Sequence, residues 1–185
     1  MKRSNKKINI PTALTILRIV LAVVFMIFVM IPGAWAKANA LAIFILAAIT
    51  DKVDGYLARQ TKTVTDLGAF LDPIADKILV NLAFLALTVL DAVPVWVFAV
   101  VLVRDLLVNG LRMFAAKNHI VLEASLLGKF KTTFQMVALG VILFGLIVNI
   151  GLVTTIGNIL LYISLIMAII SGAAYFYSSR KLFSK

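Results

Sequence analysis

Cysteine is absent from this chain and histidine occurs once. The first absence removes disulfides and thiol chemistry, and the two together speak against the Cys- and His-rich ligand sets that zinc or copper prefer. Acidic residues are scarce as well, eight in 185, yet five of them fall between Asp51 and Asp76. What the chain has in abundance is apolar surface. It is 63% hydrophobic with a mean hydropathy of +1.08, against roughly 45 to 50% apolar residues in a soluble domain. The composition is that of an integral membrane protein. A net charge of +10 does not indicate nucleic acid, because no soluble domain presents a basic face; anionic lipid at a cytoplasmic membrane surface accounts for it.

The apolar runs predict an all-α membrane protein of six transmembrane helices forming a single domain over 1–185. A short basic juxtamembrane segment, 1–9, with Lys2, Arg3, Lys6 and Lys7, precedes a first span over 10–31. That span is too long for a signal-peptide core and reads as a retained helix. Further spans are expected over 41–60, 66–90, 95–116, 132–150 and 154–175, with the longest polar connection over 117–131. Pro73 is a candidate kink. Among the loops on the side away from the termini only Lys37 is basic, so the positive-inside rule places both termini in the cytoplasm. Trp35 and Trp96 fall at the far interface, where indole anchors belong. His119 sits in a polar connection and reads as solvated. Arg18, two turns into the first helix, reads as snorkelling to the interface.

The segment Asp51 to Asp76 places charge where a bilayer least tolerates it. Asp51 and Asp54 share one helical arc with Gly55 and Ala58; Gly68, Asp72 and Asp76 share another on the next helix. Small residues beside paired carboxylates leave room for a second helix or a ligand. Each unpaired carboxylate in hydrocarbon costs about 2.5 to 3.5 kcal/mol, so the four require cations or a wet cavity. Hard divalent ions, Mg²⁺ or Mn²⁺, suit this all-oxygen set. The plainer alternative is a set of interhelical ion pairs with Lys52, Arg59 and Lys77. Counting 1.5 Å per residue puts both acidic faces about 8 to 15 Å from one cytoplasmic turn. Arg104, Arg112, Lys129 and Lys131 approach from the same side, so a basic group can stand beside the acidic one.

The spacing Asp51-x2-Asp54-Gly55-x2-Ala58-Arg59-x8-Gly68-x3-Asp72-x3-Asp76 resembles, at every fixed position, the signature of the CDP-alcohol phosphatidyltransferase family. The resemblance extends to 9–18, to Arg104–Arg112, to Gly128-Lys129-Phe130-Lys131-Thr132 and to 171–177, and it is strongest to the branch that uses glycerol 3-phosphate. It implies two divalent ions, Mg²⁺ or Mn²⁺, held by Asp51, Asp54, Asp72 and Asp76, with Asp76 also the catalytic base. It implies that CDP-diacylglycerol is bound by Pro11, Thr12, Thr15, Asp54, Gly55, Ala58, Arg59, Thr65 and Gly68, and that the acceptor phosphate is bound by Arg104, Arg112 and Lys129. It also implies a homodimer. Two positions depart from the branch: Asp105 where Glu is usual, and Ala174 where an acid is usual.

On this reading the 1-hydroxyl of glycerol 3-phosphate loses its proton to Asp76 and attacks the β-phosphorus of CDP-diacylglycerol, and CMP leaves. Inositol phosphate or phosphatidylglycerol as acceptor is the alternative within the family. A cation transporter is the alternative from another class. Its pathway should continue past the midplane, where the sequence offers Asn39, Asp91 and Asn149.

Overall fold

The computed structural model describes residues 10–61, 66–117 and 126–180. Six helices follow one another: α1 (Ile10–Met30), α2 (Ala34–Thr61), α3 (Asp66–Val89), α4 (Val95–Lys117), α5 (Leu126–Val148) and α6 (Gly151–Ser179). Their lengths of 21 to 29 residues correspond to about 31 to 44 Å at 1.5 Å per residue, enough to cross a hydrocarbon layer of about 30 Å. Among the described residues, Thr12–Met30, Phe130–Val148 and Gly151–Tyr177 are apolar enough throughout to do so on composition alone. In α2 and α3 the apolar portions are shorter, Ala34–Thr50 and Lys77–Val89, because the acidic segment occupies the adjoining ends.

Several boundaries differ from the sequence expectation. Helix α2 starts at Ala34, seven residues before the expected Leu41. Its alanine-rich opening is a strong helix former, and Ala36 and Ala40 are buried there. Helix α5 starts at Leu126 instead of position 132, which moves Gly128 and Lys131 from a loop into the first turns of a helix. Helix α6 is longer than expected at both ends.

The turns at one end of the bundle are short and share a device. Gly33 (φ 111°), Asp91 (φ 55°) and Asn149 (φ 54°) each adopt a left-handed conformation after a helix end, the conformation that lets a chain leave a helix abruptly. Connections 62–65 and 118–125, the latter with His119, lie outside the described residues, as do 1–9 with their basic flank.

The core is a set of inward stripes. Ala22, Phe25 and Val29 on α1 meet Ala40, Phe44 and Ala47 on α2, Leu79, Ala83, Phe84 and Leu87 on α3, and Leu139, Ile142 and Leu143 on α5. Phe25 and Phe44 lie with ring centroids 5.6 Å apart. The outward faces carry Val20, Val23, Ile27, Leu46, Leu106 and Ile166 in the open, an apolar exterior that only lipid would cover without penalty. Trp35 and Trp96 are exposed beside the short turns, as interfacial anchors should be; Trp96 stacks on Tyr162.

The tightest packing joins α5 to α6. A Cβ on Gly145 would collide with the Thr154 hydroxyl and backbone, and one on Gly157 would lie 2.9 Å from the backbone nitrogen of Ile142. Small residues here let two backbones approach, a device of membrane helix pairs. Gly157→Val should therefore lower the unfolding midpoint in detergent, at a cost of about 1 to 3 kcal/mol. Gly110→Ala, where nothing lies within 4 Å, should leave it unchanged or slightly raised; equal effects at the two sites would contradict this packing.

Candidate active site

Helix α1 turns three polar side chains inward. Thr12, Thr15 and Arg18 follow one helical stripe and are 1%, 0% and 2% exposed. Ala22, Phe25 and Val29 continue the stripe, so its polar end and its sealing apolar end belong to one face. Snorkelling, the plain expectation for Arg18, does not occur: the residue stands on the packed face of the helix and is enclosed.

The acidic segment extends the inward stripes of α2 and α3. On α2 the buried positions Ala36, Ala40, Phe44 and Ala47 step by four, four and three, and positions 51, 54 and 58 carry the count onward. On α3, Ala75, Leu79, Val80 and Ala83 are buried, and positions 68, 72 and 76 share that register. Helices α2 and α3 pack on α1 and on each other. The backbone thus carries four aspartate positions on the inward registers of two neighbouring helices. The side chains of Pro11, Asp51, Asp54, Gly55, Ala58, Arg59, Gly68, Asp72, Asp76 and Lys129 lie outside those described, and Thr65 lies outside the described residues altogether. Four carboxylates supply hard oxygen donors, so the residue set and its register fit Mg²⁺ or Mn²⁺. Among the described side chains no cluster of three or more histidine, cysteine, aspartate or glutamate residues forms.

Immediately after Asp76 begins a buried ionic network. Asp105 on α4, 6% exposed, accepts hydrogen bonds from Lys77 Nζ on α3 at 3.0 Å, from Arg104 Nη1 at 3.0 Å and from Lys131 Nζ on α5. Lys131 is itself only 2% exposed. Arg104 also donates through Nε to the Ala168 carbonyl at 2.9 Å and through Nη2 to Ser171 Oγ at 2.6 Å, which ties α4 to α6. Gly172 gives the guanidinium its place, since a Cβ there would stand 3.3 Å from Arg104 Cγ and Nε. One residue of helix rises about 1.5 Å, so the network lies at the membrane level of Asp76.

Helical spacing argues against contact between the adjacent Arg104 and Asp105, yet they are paired. The long arginine arm bends around the helix to reach its neighbour, which backbone spacing alone does not anticipate. Of the three residues assigned to an acceptor phosphate, Arg104 is in this network, Arg112 is exposed further along α4, and the Lys129 side chain is not among those described. Ser171 and Gln135 are buried polar residues that spacing left unassigned, while Lys77 and Lys131, expected near the acidic segment, both pair with Asp105. Extending α5 back to Leu126 would have exposed the pattern, for Gly128, Lys131, Gln135 and Ala138 then fall on one stripe. Gln135, one turn beyond Lys131, is 1% exposed, and neither of its amide atoms has a hydrogen-bond partner.

Removing one member of a buried ion pair strands the other, at a typical cost of about 3 to 5 kcal/mol. Asp105→Asn should accordingly destabilise the protein by about 3 kcal/mol in equilibrium unfolding in detergent, the lower end applying because Lys77 and Arg104 are partly exposed. An unchanged midpoint would contradict the network as described.

A family model described as CDP-alcohol phosphatidyltransferase matches residues 8–170. A relative from Bacillus subtilis (strain 168) is 35% identical over 181 residues, covering 91% of this chain and 93% of its own. Relatives from Rickettsia bellii (strain RML369-C) and Wigglesworthia glossinidia brevipalpis are each 38% identical, over 176 and 177 residues, and cover 95% and 92% of this chain and 97% and 94% of their own. All three are named CDP-diacylglycerol--glycerol-3-phosphate 3-phosphatidyltransferase.

Proposed function

The chain belongs to the CDP-alcohol phosphatidyltransferase family, and from that premise we propose that it transfers the phosphatidyl group of CDP-diacylglycerol to glycerol 3-phosphate, giving phosphatidylglycerophosphate and CMP. The observation that carries this reading is the pairing of opposite chemistries at one level. An aspartate register on α2 and α3 adjoins a buried network in which cations outnumber the acid. With Lys77 set aside, Arg104 and Lys131 still exceed the Asp105 carboxylate two to one among the described residues. Such an excess inside a membrane calls for an anion, and an acceptor bearing a phosphomonoester supplies one. Arg104 provides a planar fork and Lys131 a point charge; Arg112 and Lys129 stand nearer the end of the bundle on the way in.

Asp51, Asp54, Asp72 and Asp76 would hold two divalent ions, Mg²⁺ or Mn²⁺, which when bound neutralise the diphosphate charge. The remaining chemistry belongs to the chain. Thr12 and Thr15 on the inward face of α1, with Pro11, Gly55, Ala58, Arg59, Thr65 and Gly68, seat the nucleotide and diphosphate. Asp76 accepts the proton of the acceptor's 1-hydroxyl as that oxygen bonds to the β-phosphorus; the bond from the β-phosphorus to the CMP oxygen breaks, and CMP departs. An apolar groove of about 430 Å³ between α2 and α5, lined by Phe44, Ala48, Ile49, Met136 and Val137, ends close to Asp51 in sequence and suits an acyl chain. The concentration of basic residues on the side of the termini orients the site toward the cytoplasm in a multi-pass arrangement of the cell membrane, one domain per chain in a homodimer.

The transporter alternative loses its footholds beyond the midplane. Asp91 and Asn149 are the left-handed turn residues, and Asn39 donates to the Trp35 carbonyl at 2.8 Å. Thr154, a further polar residue at that end, packs on Gly145.

Purified protein supplied with CDP-diacylglycerol and Mg²⁺ or Mn²⁺ should release CMP with glycerol 3-phosphate and not with inositol phosphate or phosphatidylglycerol. Asp76→Asn should reduce that release by at least a thousandfold while preserving the unfolding midpoint. Near-normal turnover in this variant would refute the base assignment, and preference for another acceptor would refute the substrate.

A further inference from the structure

Gln135 is the one fully enclosed amide side chain on the inward stripe of α5, and both its Nε2 and its Oε1 are buried without a partner. A buried amide left unsatisfied costs stability, and a nearby apolar residue would have filled the space without that cost. Its place narrows what satisfies it. Lys131, four residues earlier on the same stripe, reaches Asp105, so Gln135 stands about 6 Å further along the helix on the membrane-interior side of the cation network. Helices α2, α3 and α6 all pack on α5, which closes the position to lipid.

We propose that Gln135 is a specificity-determining residue that hydrogen-bonds the 2-hydroxyl of the acceptor, the hydroxyl that does not react; the proposal rests on the transferase reading above. The argument is one of donor and acceptor inventory. The amide presents one acceptor oxygen and a donor nitrogen. Phosphate oxygens and the ester carbonyls of the lipid only accept, so either would leave Oε1 unpaired. A hydroxyl both donates and accepts, and satisfies both ends at once. The nucleoside hydroxyls have the same chemistry, but the nucleoside is the polar end of the lipid and belongs on the headgroup side of the diphosphate. Within the acceptor, the phosphate on the cation network and the 1-hydroxyl at Asp76 leave the 2-hydroxyl between them as the group without a partner. A site built to pair a substrate hydroxyl discriminates strongly against an analogue that lacks it.

The test compares kcat/KM for CMP release with glycerol 3-phosphate and with 3-hydroxypropyl phosphate, which lacks only the 2-hydroxyl. The full chain is assayed in mixed micelles with CDP-diacylglycerol and Mg²⁺. The wild type should prefer glycerol 3-phosphate by about thirtyfold or more. Gln135→Met should bring the ratio within about threefold of unity by lowering the rate with glycerol 3-phosphate and sparing that with the analogue, and its ligand-free unfolding midpoint should equal or exceed that of the wild type. Gln135→Leu, which likewise removes both amide atoms, should lose the preference in the same way and serves if the methionine variant does not fold. A wild-type ratio near one, or a preference that persists in both variants, overturns the proposal while leaving the transferase reading intact. No CMP release with either acceptor overturns both.

Discussion

An ionised side chain inside a bilayer has to be balanced by an opposite charge or by water, and this chain is arranged around that requirement. Its acidic residues are few and concentrated in α2 and α3; Arg18 is enclosed on α1, and Arg104 and Lys131 meet at Asp105 from α4 and α5. Asp105 shows the rule at work, since one carboxylate holds side chains from three helices. Such a cluster is weak evidence for stability, because desolvating its members offsets most of their attraction. Its value is in position: it fixes the relation of α3, α4 and α5 within a residue of Asp76.

The apolar part of the bundle makes that positioning possible. The inward stripe of α1 changes character along its length, from Thr12, Thr15 and Arg18 to Ala22, Phe25 and Val29, and that of α5 from Lys131 and Gln135 to Leu139, Ile142 and Leu143. The apolar ends pack into a continuous core, with Phe25, Phe44, Phe84 and Ile142 among its largest members. The glycine contacts between α5 and α6 bring the two backbones close, and α6 in turn holds Arg104 through Ala168 and Ser171.

Hydropathy made the number and order of the helices legible, because runs of about twenty apolar residues have no other use in a chain this greasy. Spacing made the aspartate register legible, since three- and four-residue steps map directly onto a helix face. Where the reading failed, side-chain reach or helix propensity was decisive. The alanine-rich stretch 34–40 is helical although the expected second span begins only at 41. Arg18 is packed although arginine in a span usually snorkels. Arg104 bends back to Asp105 although adjacent residues diverge. Gln135 passed unnoticed because a single amide in an apolar run carries no pattern, and only its burial without a partner distinguishes it.

The central claim is that the inward registers of α2 and α3 hold divalent ions through Asp51, Asp54, Asp72 and Asp76. Anomalous scattering from crystals grown with Mn²⁺ tests it most directly. The account predicts two manganese peaks enclosed by these four carboxylates. Peaks elsewhere in the bundle, or none between the two helices at saturating metal, would contradict it.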